Sequence, residues 1–282
     1  MCVKVPDFDK ITLKFIILKM TISFNNILSF VSYNPLEQFE IQDLAYFQVP
    51  LFSAAKISLT NIGLYIIIVL ILVILMNQLL SNNRRITPSR WSISQESIYG
   101  SILALVREQI GAANEIYVPL IIVLFNFVLV NNLIGLVPYS FTPTAQLIMS
   151  IGLSSTIIIA VTIIGLVRHG IVFFSLFVPA GTPLMLVPLL VVLELISYTA
   201  RALSLGLRLA SNMIAGHSLL LIFSGFIYKM ITLGFIMFIV SFLPITLLVI
   251  LYGLEILIAF LQAYIFTLLT CTYIKDALHL HA

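Results

Sequence analysis

Residues 203–221 read LSLGLRLASNMIAGHSLLL, a stretch that is apolar enough to lie in a membrane although it carries the guanidinium of Arg208. A charged side chain inside a bilayer is costly, and it normally faces a bundle interior or a water-filled cavity. Such residues usually mark an ion or proton pathway. The stretch therefore indicates a membrane helix that lines a pathway for ions or protons.

The composition of the whole chain supports a membrane location. Of its 282 residues, 61% are hydrophobic and 9% are charged, whereas a soluble domain carries about 25% charged residues. The chain cannot cover itself with polar surface, so we expect an integral membrane protein. Its net charge of +3 is too small and too scattered to indicate a nucleic-acid partner. Cys2 and Cys271 lie far apart in the chain and predict neither a disulfide framework nor a metal site.

The apolar segments predict an all-α fold with about five membrane-embedded helices, because a spanning helix needs about 20 mostly apolar residues. Pro138 and Pro143 divide one long uncharged run into two spans. The predicted segments are 61–81, 116–137, 145–167, one that ends near residue 226 after a turn at PAGTP (179–183), and 231–274. The last two exceed the length of a perpendicular span, so we expect them to be long and steeply tilted, with a bend at Pro244.

Residues 92–111, SISQESIYGSILALVREQIG, differ from these spans. Their apolar side chains recur at helical spacing, with polar side chains around the rest of each turn. The apolar positions are Ile98, Ile102, Leu105, Val106 and Ile110. This pattern predicts one amphipathic helix that lies in the membrane interface and does not cross it. A helix that binds a partner protein is the alternative.

We expect residues 32–282 to form a single membrane domain, with residues 1–31 as a possible N-terminal leader or extension. Basic residues near the ends of spans indicate the orientation. If the N-terminal side faces outward, the inner loops and the C-terminus hold six of them: Arg84, Arg85, Arg90, Arg107, Arg168 and Lys275. The outer loops between spans then hold only Lys229, which favours this orientation. The lysines within residues 1–31 would violate it unless that segment is removed.

The last two apolar segments contain five ionisable side chains, and a sixth lies just beyond them: Glu194, Arg201, Arg208, His217, Glu255 and Asp276. Glu194, Arg201 and Arg208 are spaced seven residues apart, so they share one stripe of a helix. Asn212 lies one turn beyond Arg208 on the same face. For any isolated pair, a structural ion pair is the alternative to a pathway.

An antiparallel arrangement of the two segments brings these polar groups to three common depths. If Arg208 lies level with Gln262, then Glu194 lies level with Asp276, and His217 lies within two residues of the level of Glu255. Along the helix, Arg208 is then about 13 Å from His217 and about 21 Å from Glu194. The sequence therefore predicts an outer pair, a central arginine and an inner pair.

The chemistry of the three depths differs. Histidine is the side chain whose ordinary pKa lies nearest to physiological pH, so His217 with Glu255 can pass protons. Glu194 and Asp276 form a second carboxylate pair near the inner surface. Arg208 cannot be deprotonated in a protein, so it can serve only as a fixed counter-ion and a barrier to protons. Because no carboxylate is left to be its mobile partner, we expect another protein to supply one.

Four stretches of the chain carry a resemblance: LGLRLASNMIAGHSLLL, LEILIAFLQAYIFTLLTCTYIKDALHLH, NPLEQFEI and NNLIGLVPYSFTPT. They resemble subunit a of F-type ATP synthases, specifically its mitochondrial branch, from about residue 34 to the end of the chain. The resemblance implies a proton-conducting stator subunit that couples proton flow to ATP synthesis, as a multi-pass protein of the mitochondrial inner membrane.

The resemblance also implies a role for each candidate residue. Arg208 corresponds to the essential arginine that faces a rotating ring of c subunits. The half-channel from the intermembrane space is implied to use four residues, namely His217, Glu255, Asn212 and Gln262. The half-channel to the matrix is implied to use Glu194 and Asp276. The implied partners are the c-subunit ring, the other ATP synthase subunits, the lipid membrane and protons, without nucleic acid.

Two other functions remain open from the residues alone. A self-contained secondary transporter or ion channel predicts inverted repeats and a solute site at broken helices, and the sequence shows no internal repeat. A purely structural assembly subunit leaves the polar register unexplained. The sequence contains no P-loop and no nucleotide fingerprint, so we expect ATP chemistry on another subunit, and it predicts no cofactor.

Overall fold

The computed structural model describes residues 37–48, 56–81, 90–137, 140–177, 186–232 and 235–278. In these residues the chain is a bundle of α-helices, and five helical segments are long and apolar enough to cross a membrane. The predicted all-α membrane fold is therefore confirmed. Residues 1–31 and the predicted turn at PAGTP lie outside the described residues.

Seven α-helices follow one another along the described chain. They are α1 (Asn61–Ser81), α2 (Arg90–Gln109), α3 (Val118–Gly135), α4 (Leu147–His169), α5 (Val187–Thr232), α6 (Phe235–Val240) and α7 (Phe242–Leu278). Short 3₁₀ helices lie at Glu37–Phe39, Ala112–Tyr117, Pro143–Ala145 and Gly170–Phe177. The helices α1, α3, α4, α5 and α7 correspond to the five predicted spans, and α2 corresponds to the predicted amphipathic helix.

A two-stranded antiparallel sheet precedes the first span, and the sequence did not predict it. Its strands are β1 (Asp43–Gln48) and β2 (Lys56–Thr60), with Ala45 opposite Leu59. The backbone N–H of Asn61 donates to the carbonyl oxygen of Gln42 at 3.1 Å, so the sheet runs directly into α1. Thr60 caps this helix, because its hydroxyl accepts a hydrogen bond from the N–H of Gly63 at 3.5 Å.

The two helices α5 and α7 are long, as predicted. With 46 and 37 residues and a rise of 1.5 Å per residue, they extend for about 69 Å and about 55 Å. A hydrocarbon core is about 30 Å thick, so neither helix fits across it in a perpendicular orientation. Helix α6 ends at Val240 and α7 begins at Phe242, so the helix is interrupted at Ser241, near Pro244; the bend itself stays a prediction. Proline lacks the N–H that would continue the hydrogen-bond ladder back into α6.

The apolar face of α2 packs on the bundle itself. Ile102, Leu105 and Val106 are buried, and they share a cluster with residues of α3 and of the C-terminal end of α7. The charged face of α2 stays exposed, and Arg107 pairs with Glu115 at 2.7 Å. The interfacial position of this helix remains a prediction.

Arg168 and Lys275 lie at one end of the bundle. A hydrogen bond joins the adjacent His169 Nε2 to the carbonyl oxygen of Leu278 at 3.1 Å, so the C-terminal ends of α4 and α7 lie side by side. We call this the inner end, in keeping with the predicted orientation. At the opposite, outer end, Leu136, Ala145 and Met213 form a small core with Ala259.

Close packing of α4 against α5 depends on Gly206. A Cβ at residue 206 would lie 2.7 Å from the carbonyl oxygen of Ser150 and 2.8 Å from Cα of Ile151. These are backbone atoms, so a larger residue would push the two helices apart. Gly206 therefore fixes α5 against α4 about half a turn from Arg208.

Candidate functional site

His217 and Glu255 form the outer polar pair between α5 and α7. Nδ1 of His217 lies 3.8 Å from Oε1 of Glu255, and the two side chains are 13% and 6% exposed. The predicted antiparallel register is thus reproduced at this depth. Gly216 makes the contact possible, because a Cβ at residue 216 would lie 2.6 Å from Oε1 of Glu255.

The carboxyl group of Glu255 has no hydrogen-bond partner among the described residues, although both of its oxygens are buried. Burying an ionised carboxylate without hydrogen bonds is expensive. A buried carboxyl group in this setting is a candidate proton acceptor. Nδ1 of His217 lies 3.8 Å from Oε1 of Glu255, and an imidazole and a carboxyl group at this distance can exchange a proton.

Arg201 joins the inner polar pair. Its Nη2 lies 3.5 Å from Oε1 of Glu194, and its Nη1 lies 3.6 Å from Oδ2 of Asp276. Glu194 and Asp276, which the sequence placed at one depth, therefore both contact the guanidinium of Arg201. The three side chains are between 35% and 39% exposed, which leaves the cluster open to water or to a partner.

Arg208 lies on the open side of α5. Its side chain is exposed, as are those of Ser204, Ser211 and Ala215 on the same face. Its guanidinium makes no hydrogen bond or ion pair with any residue that the structure describes. Small side chains on a helix face let another helix come close, and within the described chain no helix covers this face.

Gln262 does not meet Arg208, although the register places the two residues at a similar depth. Gln262 is 9% exposed, and Asn212 is half-buried. The side of α5 that faces α7 consists of Leu205, Leu209 and Met213. At 100° per residue, Arg208 is rotated away from the middle of that stripe by about a quarter turn. The angle around the helix, and not the depth, separates the two side chains.

Two polar residues near these pairs were not identified from the sequence. Thr142 Oγ1 lies 3.4 Å from Nε2 of His217, on the segment that the sequence treated only as a break between two spans. The hydroxyl of Tyr198 is buried and has no hydrogen-bond partner in the described part of the chain. Tyr198 precedes Arg201 by three residues, and this helical spacing is the signal that could have found it.

Asn131 and Asn132 have different surroundings. The side-chain amide of Asn132 donates to the carbonyl oxygen of Ala259 at 3.4 Å, which links α3 to α7. Asn131 donates to its own helix, to the carbonyl oxygen of Phe127 at 2.8 Å, and lines a cavity of about 20 Å³ together with Thr144. Such a volume holds one water molecule, and both residues have an unpaired buried oxygen there.

Comparison with known proteins gives one consistent result. Residues 62–275 match the family described as ATP synthase A chain. This range includes six of the seven candidate residues, and the seventh, Asp276, follows it directly.

Three fungal relatives are similar over nearly their whole lengths, and each is named ATP synthase subunit a. The relative from Mycosarcoma maydis is 51% identical over 254 residues, which is 90% of this chain and 100% of the relative. The relative from Neurospora crassa is 49% identical over 93% of this chain and 99% of its own length. The relative from Saccharomyces cerevisiae is 45% identical over 91% of this chain and 99% of its own length. The chain therefore belongs to the ATP synthase subunit a family, as a multi-pass protein of the mitochondrial inner membrane that serves proton transport and ATP synthesis.

Proposed function

We propose that the chain is the stator that carries protons along two offset half-paths, which are separated by Arg208 and open onto a rotating ring of c subunits. The observation that carries this proposal is the position of Arg208. It is a permanent cation on an exposed helix face, and the two polar pairs between α5 and α7 lie on either side of it along the helix axis. A cation in a membrane segment needs a counter-charge, and the described chain offers none within reach.

The partner carboxylate is proposed to come from the ring. A ring that turns past α5 would present one carboxyl group after another to the open face around Arg208. The small side chains of Ser204, Ser211 and Ala215 would allow its helices to approach closely. The guanidinium would release each carboxylate to the next half-path while preventing direct proton passage, because it cannot give up its own proton.

The two polar pairs are proposed to form parts of the two half-paths, one on each side of Arg208 along α5. His217 and Glu255, with Asn212 and Gln262 nearby, would serve the outer half-path from the intermembrane space. Glu194 and Asp276, held by Arg201, would serve the inner half-path to the matrix. Their lateral separation is supported by the helix geometry. Glu194 is fourteen residues from Arg208 and lies on about the same side of α5, whereas His217 is nine residues from Arg208 and points to the opposite side.

Cross-linking in the assembled complex tests the proposed ring contact. Cysteines replacing Ser204 and Ser211 should form disulfides with cysteines placed beside the ring carboxylate, since such a link needs Cα atoms within about 7 Å. A cysteine replacing Ile71 is the control, because Ile71 is exposed on α1. Links from Ile71 but not from Ser204 or Ser211, in complexes that still pump protons, would overturn the proposal.

A further inference from the structure

Thr142 contacts the nitrogen of His217 that does not face Glu255. Its Oγ1 lies 3.4 Å from Nε2 of His217, while Nδ1 faces Glu255 at 3.8 Å. Thr142 is 4% exposed and directly precedes the 3₁₀ helix Pro143–Ala145. The imidazole is therefore held between a hydroxyl from the α3–α4 connection and a carboxyl group from α7.

The position of Thr142 is fixed by its packing on Gly135, at the end of α3. A Cβ at residue 135 would overlap the γ-methyl group of Thr142 and would lie 3.0 Å from its hydroxyl oxygen. The methyl group thus occupies the space that the glycine leaves open. The carbonyl oxygen of Thr142 also accepts a hydrogen bond from the N–H of Ala145 at 3.2 Å, which holds the backbone of the connection.

Phe39 packs against the imidazole of His217 as well. The two rings meet edge to face, with their centroids 6.4 Å apart. Gln146 holds this segment in place, because its side-chain amide donates to the carbonyl oxygen of Phe39. With an aromatic ring, a hydroxyl and a carboxyl group around it, the imidazole has one favoured orientation.

We propose that Thr142 is a positioning residue for His217, whose hydroxyl holds Nε2 so that Nδ1 stays directed at Glu255. This inference rests on the proposed proton path through His217 and Glu255. A hydroxyl can both donate and accept a hydrogen bond, so it can stay bonded to Nε2 whether that nitrogen carries a proton or not. Thr142 therefore preserves the orientation of the ring while its protonation state changes.

Two substitutions separate the hydroxyl from the methyl group. Thr142→Val keeps the shape that fills the space at Gly135 and removes the hydroxyl, whereas Thr142→Ser keeps the hydroxyl and removes the methyl group. In vesicles that contain the assembled complex, we expect Thr142→Val to lower the proton flux per complex about fivefold. Thr142→Ser should stay within about twofold of the unaltered complex. A purely structural role predicts the reverse, with a larger loss of flux in Thr142→Ser than in Thr142→Val. That result would overturn the inference, as would equal losses in both variants or no loss in either.

Gly135→Ala provides an independent test from the other side of the contact. The added methyl group should displace Thr142 and lower the flux. The double variant Gly135→Ala with Thr142→Ser should recover part of the flux, because the overlapping γ-methyl group is gone. A double variant that is as slow as Gly135→Ala alone would contradict the inference.

The variant Glu255→Gln, measured in the same vesicles, distinguishes a failure of the proposed proton path from a failure of the role of Thr142. If it leaves the flux unchanged, the proposed function itself fails. If it slows the flux while Thr142→Val does not, only the role of Thr142 fails.

Discussion

Gly216 and Glu255 lie in direct contact across α5 and α7, so that any side chain at residue 216 would occupy the place of the buried carboxyl group. The atom it would meet is the far end of a flexible side chain, whereas at Gly206 a side chain would meet the backbone of α4. The two glycines therefore have separable roles. One leaves room for a functional group, and the other leaves room for a helix.

Gly216→Ala should impair proton flux with little effect on stability. The methyl group would turn the carboxyl group of Glu255 away from Nδ1 of His217, which costs little packing energy because the glutamate can rotate. ATP-driven proton pumping in vesicles measures the flux, and the thermal midpoint of the solubilised complex measures stability. Gly225→Ala on the same helix is the control, since a Cβ there meets nothing within 4 Å. Equal flux in the two variants would contradict the assigned role of Gly216.

Gly206→Ala should show the opposite behaviour, with a loss of stability of about 1–3 kcal/mol from overpacking between α4 and α5. The thermal midpoint of the purified complex, or the amount of complex that assembles, reports this loss. Gly152→Ala on α4 is the matched control, because a Cβ at residue 152 has no neighbour within 4 Å. If both variants are equally stable, the close approach at Gly206 does not hold the two helices together.

Glu255→Gln should slow proton flow while the complex still assembles. The amide keeps the size of the side chain and its capacity for hydrogen bonds, but it cannot exchange a proton at physiological pH. Proton pumping measured over a range of pH values checks this expectation, with the exposed Glu108→Gln on α2 as the control. An unchanged flux at every pH would show that Glu255 has a structural role only.

Arg208→Lys should abolish coupled proton transport although the charge is retained. An ammonium group can lose its proton when it is desolvated, and it lacks the planar fork with which a guanidinium binds a carboxylate. The measurement is ATP-driven pumping in vesicles that hold a verified amount of assembled complex. Arg90→Lys, an exposed site on α2, controls for the substitution itself. Normal pumping by Arg208→Lys would rule out the barrier role.

The spans and the depth register could be predicted from the sequence because both follow from one-dimensional patterns. The lengths of the apolar runs predicted the ends of α1, α3 and α4 to within two residues. The spacing of the polar residues predicted that His217 lies close to Glu255. The sheet before α1 was missed because β1 reads DLAYFQ, which lacks a strict alternation of apolar and polar residues. Its pairing depends on β2, which is a separate segment of the chain.

The orientation of side chains around the helices could not be predicted in the same way. The spacing placed Arg208 level with Gln262, but which face of α5 meets α7 depends on the packing of Leu205, Leu209 and Met213. Thr142 reaches His217 only through the fold of the α3–α4 connection, a contact between residues distant in sequence. Such contacts leave no periodic signal in the chain.

The exposed guanidinium of Arg208 has a consequence for biogenesis. A copy of the chain that has entered the bilayer without its partners would present this cation to lipid, at a cost of about 2.5–3.5 kcal/mol on insertion scales. The newly made subunit is then least stable in the interval between insertion and capture by the complex. We expect orphan copies to be short-lived substrates for membrane proteases. Replacing Arg208 by leucine should lengthen their lifetime, although the variant would no longer support proton transport.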